Sequence, residues 1–147
     1  MNVRTAMLES PVTTTPEETF PELLNRLLGS RQATAAVLDP EGRLVGLVGI
    51  HDVLRKIVPH YVDIDFKLME VMHENYLVER MAGLKDTRVA DFMTRKLDTV
   101  APDDTLIKAA GIIVERCRKT LPVIEDGKFL GMVTRRSILE TVGPTLL

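Results

Sequence analysis

Three groups of residues carry side chains that do chemistry. Arg135 and Arg136 follow Thr134 where the apolar run Gly131 to Val133 gives way to a helical pattern. A hydroxyl beside the free N–H groups of a helix start, with two guanidinium groups in the first turn, suits a phosphate. Cations there are disfavoured by the helix dipole, by up to ~1 kcal/mol each, and a bound anion offsets that cost. The plainer readings are that Thr134 only caps the helix and that Arg136 pairs with Glu140 for ~0.3–0.5 kcal/mol. Cys117 stands on a helical stretch among Arg116, Arg118 and Lys119. Such cations lower a thiol's pKa, but a lone cysteine is more often structural. His51, His60 and His73 lack the HExxH spacing, and no glycine-rich phosphate loop is present. No nucleophile–base set or metal constellation converges, so the chain is expected not to be an enzyme and to need no cofactor or metal.

Composition narrows the partners. The 147 residues carry 19 Lys+Arg against 21 Asp+Glu, a formal charge of -2, which gives no global electrostatic case for nucleic acid. The one basic cluster, Arg116 to Lys119, is short and has no interleaved aromatics. No apolar run approaches the roughly 20 residues of a membrane span, and Met1-Asn2-Val3-Arg4 lacks the apolar core of a signal peptide. A single cysteine excludes a disulfide scaffold and a cysteine zinc site. A cytoplasmic protein without membrane insertion is expected.

The elements that must position these residues come from an internal repeat. Shifting the chain by 86 places sets Met7 on Met93, Thr13 on Thr99, Pro16 on Pro102, Thr19 on Thr105 and Val37 on Val123. One residue is lost in the next turn; at a shift of 85, Gly42 meets Gly127, Gly46 meets Gly131 and Leu54 meets Leu139. Each copy opens with an extended stretch, Val12 to Thr15 or Asp98 to Ala101, then a proline–acid turn. Thr19 and Thr105 cap a first helix, whose apolar residues recur at i, i+3, i+4 and i+7, as in Phe20, Leu23, Leu24 and Leu27. Ala35 to Leu38 and Arg43 to Val48 form two strands, matched by Leu121 to Ile124 and Lys128 to Val133. A second helix begins near Ile50 and near Arg135. The unit is β-α-β-β-α. One copy of about 50 residues is marginal alone, so the two are expected to pack their open sheet faces together. Between them, Asp65 is expected to cap a helix with Phe66, Met69, Met72, Leu77 and Met81 on its apolar side.

The repeated layout, with Asp91-Phe92-Met93-Thr94, Thr99 to Leu106, Leu121-Pro122-Val123 and Gly131 to Ser137, resembles the cystathionine-β-synthase (CBS) domain in tandem, a Bateman module. The resemblance implies an α/β (α+β) fold of two CBS repeats packed pseudo-twofold. Repeat one is placed at about 5–57, a helical insertion at about 58–85 and repeat two at about 86–143. It further implies a standalone bacterial-type regulatory module that binds an adenosine ligand, AMP, ADP, ATP or S-adenosylmethionine, in a cleft between the repeats. Signalling would pass through shape or pairing in a homodimer to a regulated protein the sequence does not name. The alternative is a ligand-free dimerisation or docking module with decayed sites.

The family pattern at the strand–helix junction is Gly, two apolar residues, Thr or Ser, two variable residues, then Asp for the ribose hydroxyls. Gly46 to Asp52 keeps the acid, Asp52, but has Gly49 for the hydroxyl; Gly131 to Ser137 keeps Thr134 but has Ser137 for the acid. The implied nucleotide contacts are Thr99, Val100, Thr120, Leu121, Pro122, Thr134, Arg135, Arg136 and Ser137, with Thr14, His51 and Asp52 from the first copy.

Overall fold

The computed structural model of the chain describes residues 1–8, 10–58 and 75–146. Asp65, Phe66, Met69 and Met72, assigned above to an inserted helix, lie outside the described residues. The first repeat runs β1 (Val12–Thr14), α2 (Phe20–Ser30), β2 (Thr34–Leu38), β3 (Leu44–Gly49) and α3 (Ile50–Ile57), preceded by a short α1 (Val3–Ala6). A helix α4 (Tyr76–Ala82) and a 3-10 turn (Val89–Asp91) lead into the second repeat. That repeat has α5 (Leu106–Glu115), β4 (Thr120–Glu125), β5 (Lys128–Thr134) and α6 (Arg135–Val142), and a 3-10 turn at Gly143–Leu146 follows. Leu77 on α4 is exposed rather than buried, and no α4 residue is buried among the described residues.

In repeat one, β1 lies parallel to β2 and β2 antiparallel to β3. In repeat two, β4 and β5 are antiparallel. The extended stretch at Asp98 to Ala101 forms no strand; it contributes one parallel bridge, Val100 to Val123. This is the repeat-equivalent of the Thr14–Val37 pair in β1 and β2.

Each repeat builds its own apolar cluster, and each borrows from a segment lying before the other. Val3 and Ala6 of α1 pack with Leu106, Ala109, Ile113, Leu121, Val123 and Val133 of repeat two. Val89 and Met93 pack with Leu23, Leu27, Ala35, Val37 and Val48 of repeat one. Backbone hydrogen bonds fix the exchange. The Val3 N–H donates to the Asp104 carbonyl at 2.9 Å, and the Val89 N–H to the Glu18 carbonyl at 3.0 Å. Leu8 bridges Met132 on β5, and Thr94 bridges Leu47 on β3, so each segment also extends the other repeat's sheet edge. Successive strand residues face opposite ways. Ala36, Pro122 and Met132 therefore point away from these clusters, yet they too are buried, so the second sheet faces are covered as well.

Close approach at these crossings requires glycine. A Cβ on Gly131 would lie 2.4 Å from the Leu8 carbonyl oxygen, and one on Gly46 would lie 2.8 Å from Met93 Sδ.

Candidate functional site

Two clefts lie where the repeats meet, related by the same shift that relates the copies. Both contain Thr34, Lys119 and Thr120, so they share a wall.

The first cleft, about 310 Å³, is lined from repeat one by Leu47, His51, Asp52 and Arg55 and from repeat two by Leu97, Asp98 and Arg118. The volume is at the lower end of the roughly 300–1,000 Å³ of small-molecule sites. β3 ends at Gly49, and α3 starts at once, which projects Asp52 to the mouth. Asp52 Oδ2 accepts the Gly49 N–H at 2.7 Å. The other oxygen, Oδ1, accepts no hydrogen bond from a described residue. Arg55, one turn on, presents its cation to the same cleft.

Asp98 was not among the sequence-derived candidates. Arg116 and Arg118 clamp it, Arg118 Nε at 2.8 Å. Burial by itself would raise the Asp98 carboxyl, but the hydrogen bond from Arg118 and the charges of both arginines hold it below its ordinary value of 3.8. A depressed carboxylate stabilises the fold above its unfolded pKa, and the contribution is lost as pH falls through the lower folded value. Asp98→Asn is therefore expected to lower the melting temperature above about pH 5, and the gap to wild type should narrow as pH falls below the ordinary carboxyl value towards the lower folded one. Thermal melts of both proteins from pH 7 to 3 check this, and a gap independent of pH would refute it.

Cys117 lies just beyond α5 rather than on it. Its φ is 52°, and Arg31, its repeat-equivalent after α2, has φ 64°. Both helices thus end through one left-handed residue, the usual way of releasing a helix into a turn. That turn, rather than helical packing, carries Cys117 into the first cleft and Arg31 into the second.

The second cleft, about 260 Å³, is lined by Leu8, Pro11, Arg31 and Ala33 against Met132, Thr134, Arg135 and Arg136. Its junction is closed upon itself. Thr134 Oγ1 accepts the Ser137 N–H at 2.9 Å, and Ser137 Oγ accepts the Thr134 N–H at 2.9 Å. Ser137 Oγ also donates to the Thr134 carbonyl at 3.1 Å, and the residue is 5% exposed. Arg136 Nε donates to Glu140 Oε1 at 2.8 Å, the plain pairing weighed above. Gln32, the equivalent of Arg118, accepts the Val12 N–H at 2.9 Å and so ties β1 down.

The sequence-derived candidates thus divide. His51 and Asp52 line the first cleft, Thr134, Arg135 and Arg136 the second, and Thr120 both. The remaining six line neither. Val100 and Leu121 belong to the repeat-two core, and Pro122 is buried. Thr14 is buried and donates to Glu18. Ser137 is locked in the cap, and Thr99 is exposed. Sequence reasoning missed Thr34, Arg55, Asp98 and Lys119. Arg55 had a legible signal, three residues after Asp52 on one helix. The others enter through the packing of one repeat on the other.

Among the described residues no three His, Cys, Asp or Glu side chains gather as a metal site. No described helix is long and apolar enough to cross a membrane.

Comparison with known proteins agrees with this architecture. The CBS domain model matches residues 3–59 and again 89–143. An uncharacterised protein of Methanocaldococcus jannaschii, MJ1426, is 27% identical over 148 aligned positions, which span 92% of this chain and 88% of that one. Among solved structures, CBSX2 in complex with AMP superposes with a TM-score of 0.75 at 22% identity, covering 99% of this chain and 98% of that one. The CBS domain pair of protein MJ0100, in complex with methylthioadenosine and S-adenosyl-L-methionine, gives 0.72 at 18% identity, with 99% and 98% covered. The chain belongs to the CBS-domain family and carries the domain twice.

Proposed function

We propose that this CBS pair is a non-catalytic regulatory module that takes an adenosine ligand in the first cleft. The observation that carries the reading is Asp52, which lines a cleft of about 310 Å³ and whose Oδ1 accepts no hydrogen bond from a described residue. A carboxylate oxygen left over after capping a helix is suited to the vicinal hydroxyls of a ribose. Leu47 and Leu97 supply apolar wall for a purine, Arg55 and Lys119 supply charge for a phosphate, and His51 adds a ring N–H donor. Structural neighbours that hold AMP, or methylthioadenosine and S-adenosyl-L-methionine, support this ligand class. A ligand changes shape or pairing only through unequal affinity for two states. The exposed Leu54 on α3 and its repeat-equivalent Leu139 on α6 are a fitting surface for homodimer pairing.

The test is thermal melting with AMP, ADP, ATP and S-adenosylmethionine, followed by titration calorimetry. At a hundred times Kd a ligand stabilises the folded state by ~2.7 kcal/mol, a rise of roughly 5–10 °C for a chain near this size. Asp52→Ala is expected to weaken binding at least tenfold, with the fold checked by circular dichroism. Retained affinity in that variant would refute the assignment of the cleft.

A ligand-free docking module has one observation in its favour: Gly49 supplies no hydroxyl, and Ser137 has spent its own. No shift with any of the four ligands, with dimerisation retained by light scattering, would establish that reading instead.

A further inference from the structure

We propose that the ion pair between Asp98 and Arg118 is a latch on the stretch joining the two repeats, and that a phosphate group opens it. The inference rests on the first cleft taking a phosphate-bearing ligand, and it names how that binding would be transmitted. The stretch from Arg95 to Thr99 carries the chain from the sheet edge of repeat one, where Thr94 pairs with Leu47, to repeat two, where Val100 pairs with Val123. Its backbone makes no hydrogen bond with a described residue. Arg95 reaches back to the Ala90 carbonyl at 3.4 Å, which leaves Asp98 to fasten the far end. The Asp98 side chain is 13% exposed and receives Arg116 and Arg118 from the end of α5. Both Asp98 and Arg118 line the first cleft.

Repeat one fastens the equivalent stretch without charge. Gln32 stands at the place of Arg118, and Val12 at the place of Asp98. Gln32 accepts the Val12 N–H at 2.9 Å and donates to the Ser10 carbonyl at 3.1 Å. The stretch there forms β1, whereas 98–101 forms no strand. An ion pair, unlike that amide tie, responds to a third charge. A phosphate drawn in by Arg55 and Lys119 repels the Asp98 carboxylate. It also offers Arg118 more negative charge than a carboxylate does, with the same paired geometry. The guanidinium passes to the phosphate, Asp98 turns out to water, and the stretch between the repeats slackens. The ligand then has unequal affinity for the fastened and the slack state, which is what a regulatory response requires.

Hydrogen exchange of the full chain at neutral pH, with and without sodium pyrophosphate, tests the latch. The reporter is the Val100 amide, which donates to the Pro122 carbonyl at 3.0 Å just beyond the stretch. Pyrophosphate is expected to speed its exchange about threefold or more in the wild type, and sodium chloride at equal ionic strength to do less. Arg118→Gln installs the tie of repeat one, so its Val100 amide should stay protected and stop responding. Asp98→Asn should exchange faster at Val100 with no anion present. It should also bind AMP about threefold more tightly than wild type, with adenosine affinity changed by less than about twofold. Unchanged Val100 exchange on adding pyrophosphate, or an undiminished response in Arg118→Gln, would overturn the proposal. So would AMP binding to Asp98→Asn with no gain in affinity. Pyrophosphate carries no adenosine, so the exchange data decide the latch by themselves. Failure of AMP and adenosine alike to bind would instead refute the adenosine reading of the cleft.

Discussion

Gly131→Ala is expected to be the most damaging methyl group that can be added to this protein. The new Cβ would stand 2.4 Å from the Leu8 carbonyl oxygen and 2.8 Å from Met7 Cγ. The oxygen is backbone and accepts the Met132 N–H at 3.3 Å, while the Leu8 N–H donates to the Met132 carbonyl at 2.7 Å. Relief therefore means pushing the segment off β5 and giving up that bridge. Overpacking of this kind costs about 1–3 kcal/mol, and loss of the bridge takes the total towards the upper end. The same change at Gly46 meets Met93 Sδ at 2.8 Å and the Thr94 carbonyl at 3.1 Å. Its closest obstacle is the end of a flexible side chain, so Gly46→Ala should cost about half as much. Urea unfolding of the two variants checks the order. Equal midpoints would show that the crossing segments yield without cost.

Val3→Ala is expected to destabilise the wrong half of the chain, as judged from sequence position. Val3 is fully buried in the cluster of repeat two. Removing two methyl groups there costs about 2 kcal/mol once the cavity is included. Under hydrogen exchange, the amides of β4 and β5 should lose protection, and those of β2 and β3 should lose less. Val89→Ala should give the opposite pattern, because Val89 is buried in the cluster of repeat one. Equal loss across both repeats in both variants would contradict the assignment of these side chains to separate cores.

The local elements were legible in the sequence because local chemistry decides them. Helix starts at Ile50 and Arg135 followed from where the strand pattern stops, and the shift of 86 carried each assignment to its copy. Thr105 caps its helix as read, accepting the Lys108 N–H at 3.2 Å, whereas Thr19 stands at the cap position without a side-chain bond. The site was half legible. Asp52, Thr134, Arg135 and Arg136 sit at a junction that a motif marks. Lys119, Thr34 and Asp98 carry no motif, and only the meeting of the repeats makes them neighbours. Val100, Leu121 and Pro122 read as ligand contacts by resemblance; their side chains are buried and line neither cleft, Val100 and Leu121 in the repeat-two core and Pro122 on the opposite sheet face. Cys117 looked helical because cationic neighbours continue the polar face of α5, and the left-handed turn that ends the helix has no glycine to announce it.

The reciprocal lodging of Val3 and Val89 has a bearing on inheritance. A duplicated gene usually leaves each descendant half free to drift by itself. Here a mutation near residue 3 is judged by the company it keeps around residue 121, and one near residue 89 by residues 23 to 48. The two halves are bound to co-evolve as partners, and a cut made at the sequence boundary between them would deprive both.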